Sequence, residues 1–336
     1  MSENSKNNID QKRREFIKGL ATVPVFGFFL ANLWAKLKRD SLKKKNLLTD
    51  LVKEKDAPAI ISKLTDSKHL NIGIIGYGGR GAHLVRSAGF ATKGWTDWAY
   101  GSAKENKLHK AYATFMGQED LNCSLVGVCD LFDNHADLAI DASKNDARPG
   151  GKPSKSAVRY KHYTEMLSRD DIDAVIVATP DHWHSRITID AANAGKHVYC
   201  EKGLTRTFQE AVDIYDTIKE TGMILQLGHQ NRQVEANDKA KQIIDQGLLG
   251  PVNLVELTTN RNSPWGAWVW SIHKDANKKT IDWDTFQEPC ANKIPFGEEA
   301  LKRFFRWRCW YDYGTGLSGD LFSHDYDQLN QIMGMG

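Results

Sequence analysis

The chain has 336 residues, 41% hydrophobic and 26% charged, with a formal net charge of +3. That suits an α/β protein of two domains plus extras, and because many lysines and arginines fall before residue 70, the remainder offers no nucleic-acid surface. The five cysteines (Cys123, Cys129, Cys200, Cys290, Cys309) form no C-x-x-C, which argues against a disulfide framework or a structural zinc site.

At the N-terminus, Lys12-Arg13-Arg14-Glu15-Phe16-Ile17-Lys18 precedes an apolar run from Gly19 to Ala35. A basic head followed by a moderate apolar segment is an export pattern. The paired arginines followed by x-Phe-Ile-Lys look like a twin-arginine signal, a route that carries folded proteins. Residues 1–36 are therefore expected to direct the protein to the periplasm. No A-x-A site follows the run, which is just long enough for a short membrane span, so a cleaved signal and an inner-membrane anchor through residues 19–35 both fit. Residues 37–69 read as a linker.

The next stretch, Asn71 to Gly81, reads N-I-G-I-I-G-Y-G-G-R-G. An apolar run stops at Gly76, Gly78 and Gly81 complete G-x-G-x-x-G, and Ala82 to Ala88 continue as a helix. In this strand–turn–helix pattern Gly76 permits the tight turn, Gly78 lets backbone approach a pyrophosphate, and Gly81 lets the helix pack on the strand. The helix N-terminus offers free N–H groups to phosphates. Phe90 to Asn122 is longer than a plain βαβ unit requires and reads as an insertion, whose aromatics Trp95, Trp98, Tyr100 and Tyr112 fit either packing or a site wall.

Ser124 to Asp130 is the second strand. Asp130, at its C-terminal end, is placed to bind adenosine ribose hydroxyls and to repel a 2′-phosphate. NAD is thus favoured, with NADP kept open by Arg80 inside the glycine turn. Further apolar strands end in Thr179-Pro180-Asp181-His182-Trp183-His184 and in Glu201-Lys202-Gly203, and Ile224 to Gly228 is the next strand. Ligands of open parallel sheets bind beyond the carboxyl ends of strands. His182-x-His184 lacks a third and fourth ligand, so no metal is expected.

Later, Asn231 and Arg232 are candidate substrate contacts, Arg through its bidentate fork. Val252 to Asn260 alternates as a strand. Arg261 to Phe305 is rich in Trp, Pro and Asn, and Trp265, Trp268, Trp270 and Trp283 are available as sugar-stacking platforms, although packing is the commoner role for any one of them. Ser318 to Met333 reads as an amphipathic helix, with Phe322, Tyr326, Leu329 and Met333 on its apolar face and Asp320, His324, Asp327 and Gln331 nearly opposite.

With G-Y-G-G-R-G (76–81), A-T-P-D-H-W-H (178–184), A-G-K-H-V-Y-C-E-K (194–202) and the segment from Arg306 to Asp327 in hand, the chain resembles the glucose–fructose oxidoreductase/inositol dehydrogenase (Gfo/Idh/MocA) family over about residues 70 to 334. The resemblance implies a Rossmann domain with a doubly wound parallel sheet (70–203) and a C-terminal α/β substrate domain with an open, mostly antiparallel sheet (204–336) that often oligomerises. The implied activity is NAD(P)-dependent oxidation of a carbohydrate CH–OH. The implied cofactor site is Gly76, Tyr77, Gly78, Gly79, Arg80, Gly81, Asp130, Thr179, Pro180, His182, Trp183, His184, Glu201 and Lys202. The family's E-K-P lysine falls on Lys202, between nicotinamide and substrate hydroxyl. Its D-x-x-x-H pair falls on Asp320 and His324, with His324 the general base and Asp320 orienting it and binding sugar. Gly203 replaces the family's proline, a change expected to loosen Lys202. The chain stops at Gly334-Met335-Gly336, where family members continue, so the second sheet is expected to be incomplete. A glycosidase using transient C3 oxidation and a non-catalytic nucleotide- or sugar-binding relative are the alternatives.

Overall fold

The apolar runs become strands of one parallel sheet. The computed structural model describes residues 69–146, 155–261 and 266–335. The expected signal (1–36) and nearly all of the linker (37–69) lie outside them. Among the described residues the strands are β1 (Leu70–Ile75), β2 (Cys123–Cys129), β3 (Val158–Tyr160), β4 (Ala174–Val177), β5 (His197–Glu201) and β6 (Leu225–Gly228), in the order β3-β2-β1-β4-β5-β6. Every pairing is parallel. The order reverses between β1 and β4, and the crevice there is where such sheets bind ligands.

Helices cover both faces, as a parallel sheet requires. Side chains alternate along each strand, so neighbouring residues feed opposite cores. Ile74, Leu125 and Val128 pack with Val85 of α1 (Gly79–Ser87) and with Ala136, Ala139 and Ala142 of the helix that follows β2 (Asp133–Ser143). Ile75, Val175, Val177 and Val198 pack instead with Met166 and Leu167 of the short helix Tyr163–Leu167, and with Trp183, Ile187 and Ala191 of the helix Asp181–Asn193.

The insertion supplies α2 (Lys93–Glu105) and α3 (Ala111–Met116). In chain order the remaining helices are α4 (Asp133–Ser143), α5 (Tyr163–Leu167), α6 (Asp181–Asn193), α7 (Phe208–Thr221), α8 (Glu235–Asp245), α9 (Trp283–Phe286), α10 (Glu298–Phe305) and α11 (Ser323–Met333). The insertion's aromatics pack on one another: Trp95 meets Phe115 at 5.4 Å and Tyr100 meets Tyr112 at 5.1 Å between ring centroids. They build a small helical appendage and do not line the main cleft.

Two expectations change. The parallel sheet continues through α7 to β6, so the Rossmann unit runs past Gly203 to Gly228. A second, mostly antiparallel sheet is absent among the described residues. Val252 to Asn260 is exposed except at Leu257 and Thr259 and forms no ladder. A strand exists only against a partner, and none lies beside it among the described residues.

In place of a sheet, the aromatic-rich segment builds a third core. Phe132 pairs with Ile281 in an isolated antiparallel bridge and packs with Trp283, Phe286, Ala300 and Tyr313. Trp283 is 2% exposed, stacks on Phe286 at 5.1 Å and donates from Nε1 to the Ile294 carbonyl at 2.8 Å. It is core, not a sugar platform. Trp270 is exposed, and Trp265 lies outside the described residues. Among the described residues no helix is long and apolar enough to cross a membrane.

The tightest joint is between α1 and β1. A Cβ on Gly81 would stand 2.0 Å from the Gly76 carbonyl oxygen. Gly81→Ala is expected to lower stability by about 1–3 kcal/mol through overpacking. Urea unfolding of the variant beside the parent checks this, and equal midpoints would refute it.

Candidate active site

The cleft opens at the carboxyl ends of β1, β2, β4 and β5. It runs from Asp130 and His135 past Gly76–Arg80 and Thr179–Pro180 to Glu201, Lys202 and Arg308. At Gly76 the chain takes φ +87°, which only glycine adopts easily, and a Cβ there would lie 2.9 Å from the Ala178 carbonyl carbon. The ends of β1 and β4 thus approach more closely than side chains would allow. Gly78 caps α1 and Gly79 begins it, and a Cβ on either would meet nothing within 4 Å. That open cradle at a helix N-terminus fits a pyrophosphate. The hydroxyl of Thr179, in the cleft wall, is buried with no partner among the described residues, a second sign of a missing polar ligand.

Asp130 is 8% exposed and accepts from the Tyr77 N–H at 2.6 Å and the Phe132 N–H at 2.8 Å. It locks the glycine turn onto β2. A carboxylate has about four lone-pair positions, so acceptor capacity remains for ribose hydroxyls. Arg80 does not join it. Arg80 Nε donates to Glu201 Oε1 at 2.7 Å and its Nη2 to Gln230 Oε1 at 3.1 Å. Glu201 ends β5, three strands from Asp130, or about 14 Å at sheet spacing. Arg80 therefore serves the β5 end of the cleft and is not placed for a 2′-phosphate at the ribose.

Lys202 follows β5 directly. Its ammonium donates to the Asp320 carbonyl at 2.5 Å and to the Asp320 carboxylate, which also accepts from Arg308 Nε at 2.9 Å. Asp320 is 4% exposed. Burial pushes its carboxyl up, but Arg308 and Lys202 outweigh this and hold it below the ordinary carboxylate value. The Asp320 partners are thus Lys202 and Arg308, and no hydrogen bond joins it to His324. This corrects the orienting role expected of it. Sequence reasoning missed Arg308, although it lies within the family-like segment R-W-R-C-W.

His324 sits on α11 behind this cluster and is not part of the cleft wall. Its Nδ1 is buried without a partner among the described residues, and its ring meets His229 edge-on at 5.7 Å. Burial, then Lys202 and His229, hold His324 below the ordinary imidazole value. Burial does the same for His229, a second imidazole that was not singled out beforehand. Arg232 Nε donates to Asp327 Oδ1 at 2.7 Å, and the Asn231 carbonyl accepts from Asn237 at 2.8 Å. Both fasten the end of β6 to α8 and α11 and neither lines the cleft, contrary to the substrate contacts expected.

In the A-T-P-D-H-W-H stretch the roles divide. Pro180 and Trp183 wall the cleft. The ring nitrogens of His184 lie 2.9 Å from the Gly203 carbonyl and 2.7 Å from the Thr179 carbonyl, pinning the Lys202 turn to the end of β4. Asp181, unassigned in the sequence reading, is 3% exposed and lines the cleft. Gly203 has φ +72°, and a Cβ there would sit 2.7 Å from the Asp181 carboxyl carbon. Proline is fixed near φ −65° and cannot take this conformation. The glycine shapes the turn around Asp181 and does not loosen it.

His182 does not line the cleft, contrary to the cofactor contact expected of it. Its Nε2 lies 2.7 Å from the Phe286 carbonyl and its N–H donates to the Tyr313 carbonyl at 3.2 Å, so it fastens the third core. Burial pulls its ring from 6.5 down to about 4. Between those values the unfolded chain binds a proton that the folded chain does not, so stability is full above about pH 6.5 and declines toward pH 4, by about 3 kcal/mol in all. His182→Gln keeps an N–H donor and is expected to flatten the decline. Urea midpoints for both proteins at neutral and mildly acidic pH test this, and parallel slopes would contradict it.

A sequence model described as an oxidoreductase family with an NAD-binding Rossmann fold, Gfo/Idh/MocA, matches residues 70–229. A levoglucosan dehydrogenase of Pseudarthrobacter phenanthrenivorans is 37% identical over 172 residues, 51% of this chain and 36% of that protein. An α-N-acetylgalactosaminidase of Shewanella oneidensis is 30% identical over 162 residues, 48% of this chain and 34% of that protein. The chain spans about a third of the length of these curated relatives. Among solved structures, myo-inositol 2-dehydrogenase of Lactobacillus plantarum is 26% identical with a TM-score of 0.40, over 55% of this chain and 43% of that one. An oxidoreductase domain protein of Kribbella flavida is 24% identical with a TM-score of 0.46, over 80% and 54%. The glycine turn, the strand order and the family match converge, and residues 70–229 are an NAD-binding Rossmann domain of the Gfo/Idh/MocA oxidoreductase family.

Proposed function

We propose that this protein is an exported oxidoreductase that moves hydride between a sugar, polyol or glycoside hydroxyl and a tightly held NAD. The observation that carries the reading is Lys202, a nearly buried ammonium fixed by Asp320 at the β5 end of a dinucleotide-shaped cleft. The backbone N–H groups at Gly78 and Gly79 and the Thr179 hydroxyl hold the phosphate side, and Asp130 holds the ribose. Bound there, NAD supplies the hydride acceptor. Lys202 exchanges its contact with the Asp320 carbonyl for the substrate hydroxyl and orients it. The hydroxyl proton passes toward His324, whose unpartnered Nδ1 is held in the neutral, proton-accepting form by burial and by Lys202.

The basic head and apolar run over residues 12–35 support twin-arginine export to the periplasm, with attachment through residues 19–35 if the run is retained. Free NAD is scarce there, which favours a cofactor loaded before export and recycled in place. A second reading is favoured by the α-N-acetylgalactosaminidase relative: transient oxidation at C3, elimination of the aglycone and reduction back by the same nucleotide.

Mass spectrometry of small molecules released from the purified protein is expected to find NAD. With a sugar and polyol panel, reduced-nicotinamide absorbance should appear, and Lys202→Ala should slow it by about 10²–10⁴-fold while the nucleotide stays bound. Aryl-glycoside cleavage without net NADH would select the second reading. A protein that neither carries nor binds NAD, or turnover indifferent to Lys202→Ala, would sink both. Because His324 lies below 6.5, the acid limb of the rate is expected below pH 6.5. A limb above that value would remove His324 as the base.

A further inference from the structure

We propose that Asp181 is the positioning residue of this site: its carboxyl group references the turn bearing Lys202 and the turn leading to Asp320 to one another. The inference rests on Lys202 being the reactive group of the cleft.

Asp181 opens α6, and its Oδ2 accepts from the Thr315 N–H at 3.1 Å and the Thr315 hydroxyl at 2.8 Å. The next residue, His182, donates its N–H to the Tyr313 carbonyl at 3.2 Å. The head of α6 is thus stitched to residues 313–315 by three hydrogen bonds, two of them to Thr315 of the G-T-G turn at residues 314–316. That turn runs directly into the π turn Ser318–Phe322, and a Cβ on Gly319 would strike the Thr315 hydroxyl at 1.8 Å. Fixing Thr315 therefore fixes where Asp320 can stand.

The other side of the same carboxyl lies against Gly203, at a distance that tolerates no Cβ. Gly203 follows Lys202 directly. One buried side chain thus touches both loops whose meeting makes the Lys202–Asp320 contact. The charged and titratable groups facing it are His184 on its own helix, Lys202 on the β5 turn and Asp320 on the π turn. Burial pushes the Asp181 carboxyl up, and His184 is the largest opposing influence. The oxygen that receives Thr315 works as an acceptor whether or not the group is charged, so an amide can replace it.

The test reads Lys202 directly and needs neither nucleotide nor sugar, so its outcome is independent of the oxidoreductase reading. The full chain is acetylated with a trace of acetic anhydride at fixed pH, and the rate at Lys202 is read by peptide mass spectrometry, with exposed Lys93 as the internal standard. Asp181→Ala is expected to speed labelling of Lys202 by about thirty-fold, the population change that its two lost hydrogen bonds to Thr315 produce. Asp181→Asn, which keeps the acceptor, is expected to restore the parental rate. Thr315→Val, which removes only the hydroxyl, is expected to fall between them. A folded Asp181→Ala protein labelled at the parental rate overturns the proposal, as does failure of Asp181→Asn to restore it. If Asp181→Ala does not fold, Thr315→Val decides alone, and a parental rate there overturns the proposal.

Discussion

One buried carboxylate, Asp320, holds the candidate site together. It receives Lys202 from the end of β5 and Arg308 from the 3₁₀ turn Trp307–Cys309. Removing either cation would leave buried charge short of compensation, which is costly in a dry interior. Buried ion pairs of this kind add little net stability, because desolvation consumes much of the Coulombic gain. What this one fixes is placement: Asp320 meets both Lys202 and Arg308 where the π turn sets it. The π turn that carries Asp320 serves the same end, since wide turns of this type re-aim a side chain that a regular helix would point elsewhere.

That constraint keeps the polar face of the final helix in contact with the protein. Phe322 and Tyr326 stack on each other at 6.3 Å and stay substantially exposed, whereas Asp320 is buried and Asp327 and Gln331 bond to Arg232 and Asn237. The polar face carries the helix's bonds to α8 and the end of β6, while Leu329 and Met333 of the apolar face are half-buried. Hydrophobic patterning alone would bury Phe322 and Tyr326; the ionic cluster at Lys202 and the hydrogen bonds along α8 hold the helix with both rings exposed.

The sheet was legible because its signal is local: short apolar runs, each ending in polar residues, at spacings that strands and crossover helices require. The glycine turn was legible for the same reason, and Asp130 could be placed at the cleft despite a long insertion because it follows its own strand directly. Side-chain partnerships were not legible. Arg80 was read as a possible phosphate ligand from its place in the turn, yet its partner Glu201 lies 121 residues away. Asp181 and Arg308 stood within quoted motifs but carried no sign of their partners. Arg232 and His182 were chemically suited to a site and are consumed by packing contacts. In each case the deciding fact is which distant group arrives beside the side chain, and periodicity does not encode it. Val252 to Asn260 marks a further limit, since a two-residue period declares a strand face and not the presence of a partner.

The two ends of the cleft are built on opposite physical principles. At the phosphate end, selectivity comes from what is missing: glycines at 76, 78, 79 and 81 bare the backbone, and a helix N-terminus faces empty space. Such a site tolerates a charged ligand because its own groups are dipoles that need no counter-ion. At the Lys202 end, each of these cations already has a carboxylate partner before any ligand arrives: Arg80 has Glu201, and Lys202 and Arg308 share Asp320. The Lys202 ammonium spends two of its three N–H donors on Asp320, so a ligand entering there finds at most one more on it without displacing a contact already made, too few to tell ligands apart. Discrimination falls to shape, and shape is set by the loops that converge on Lys202: the Gly203 turn, the Thr315 turn and the aromatic wall at Trp307.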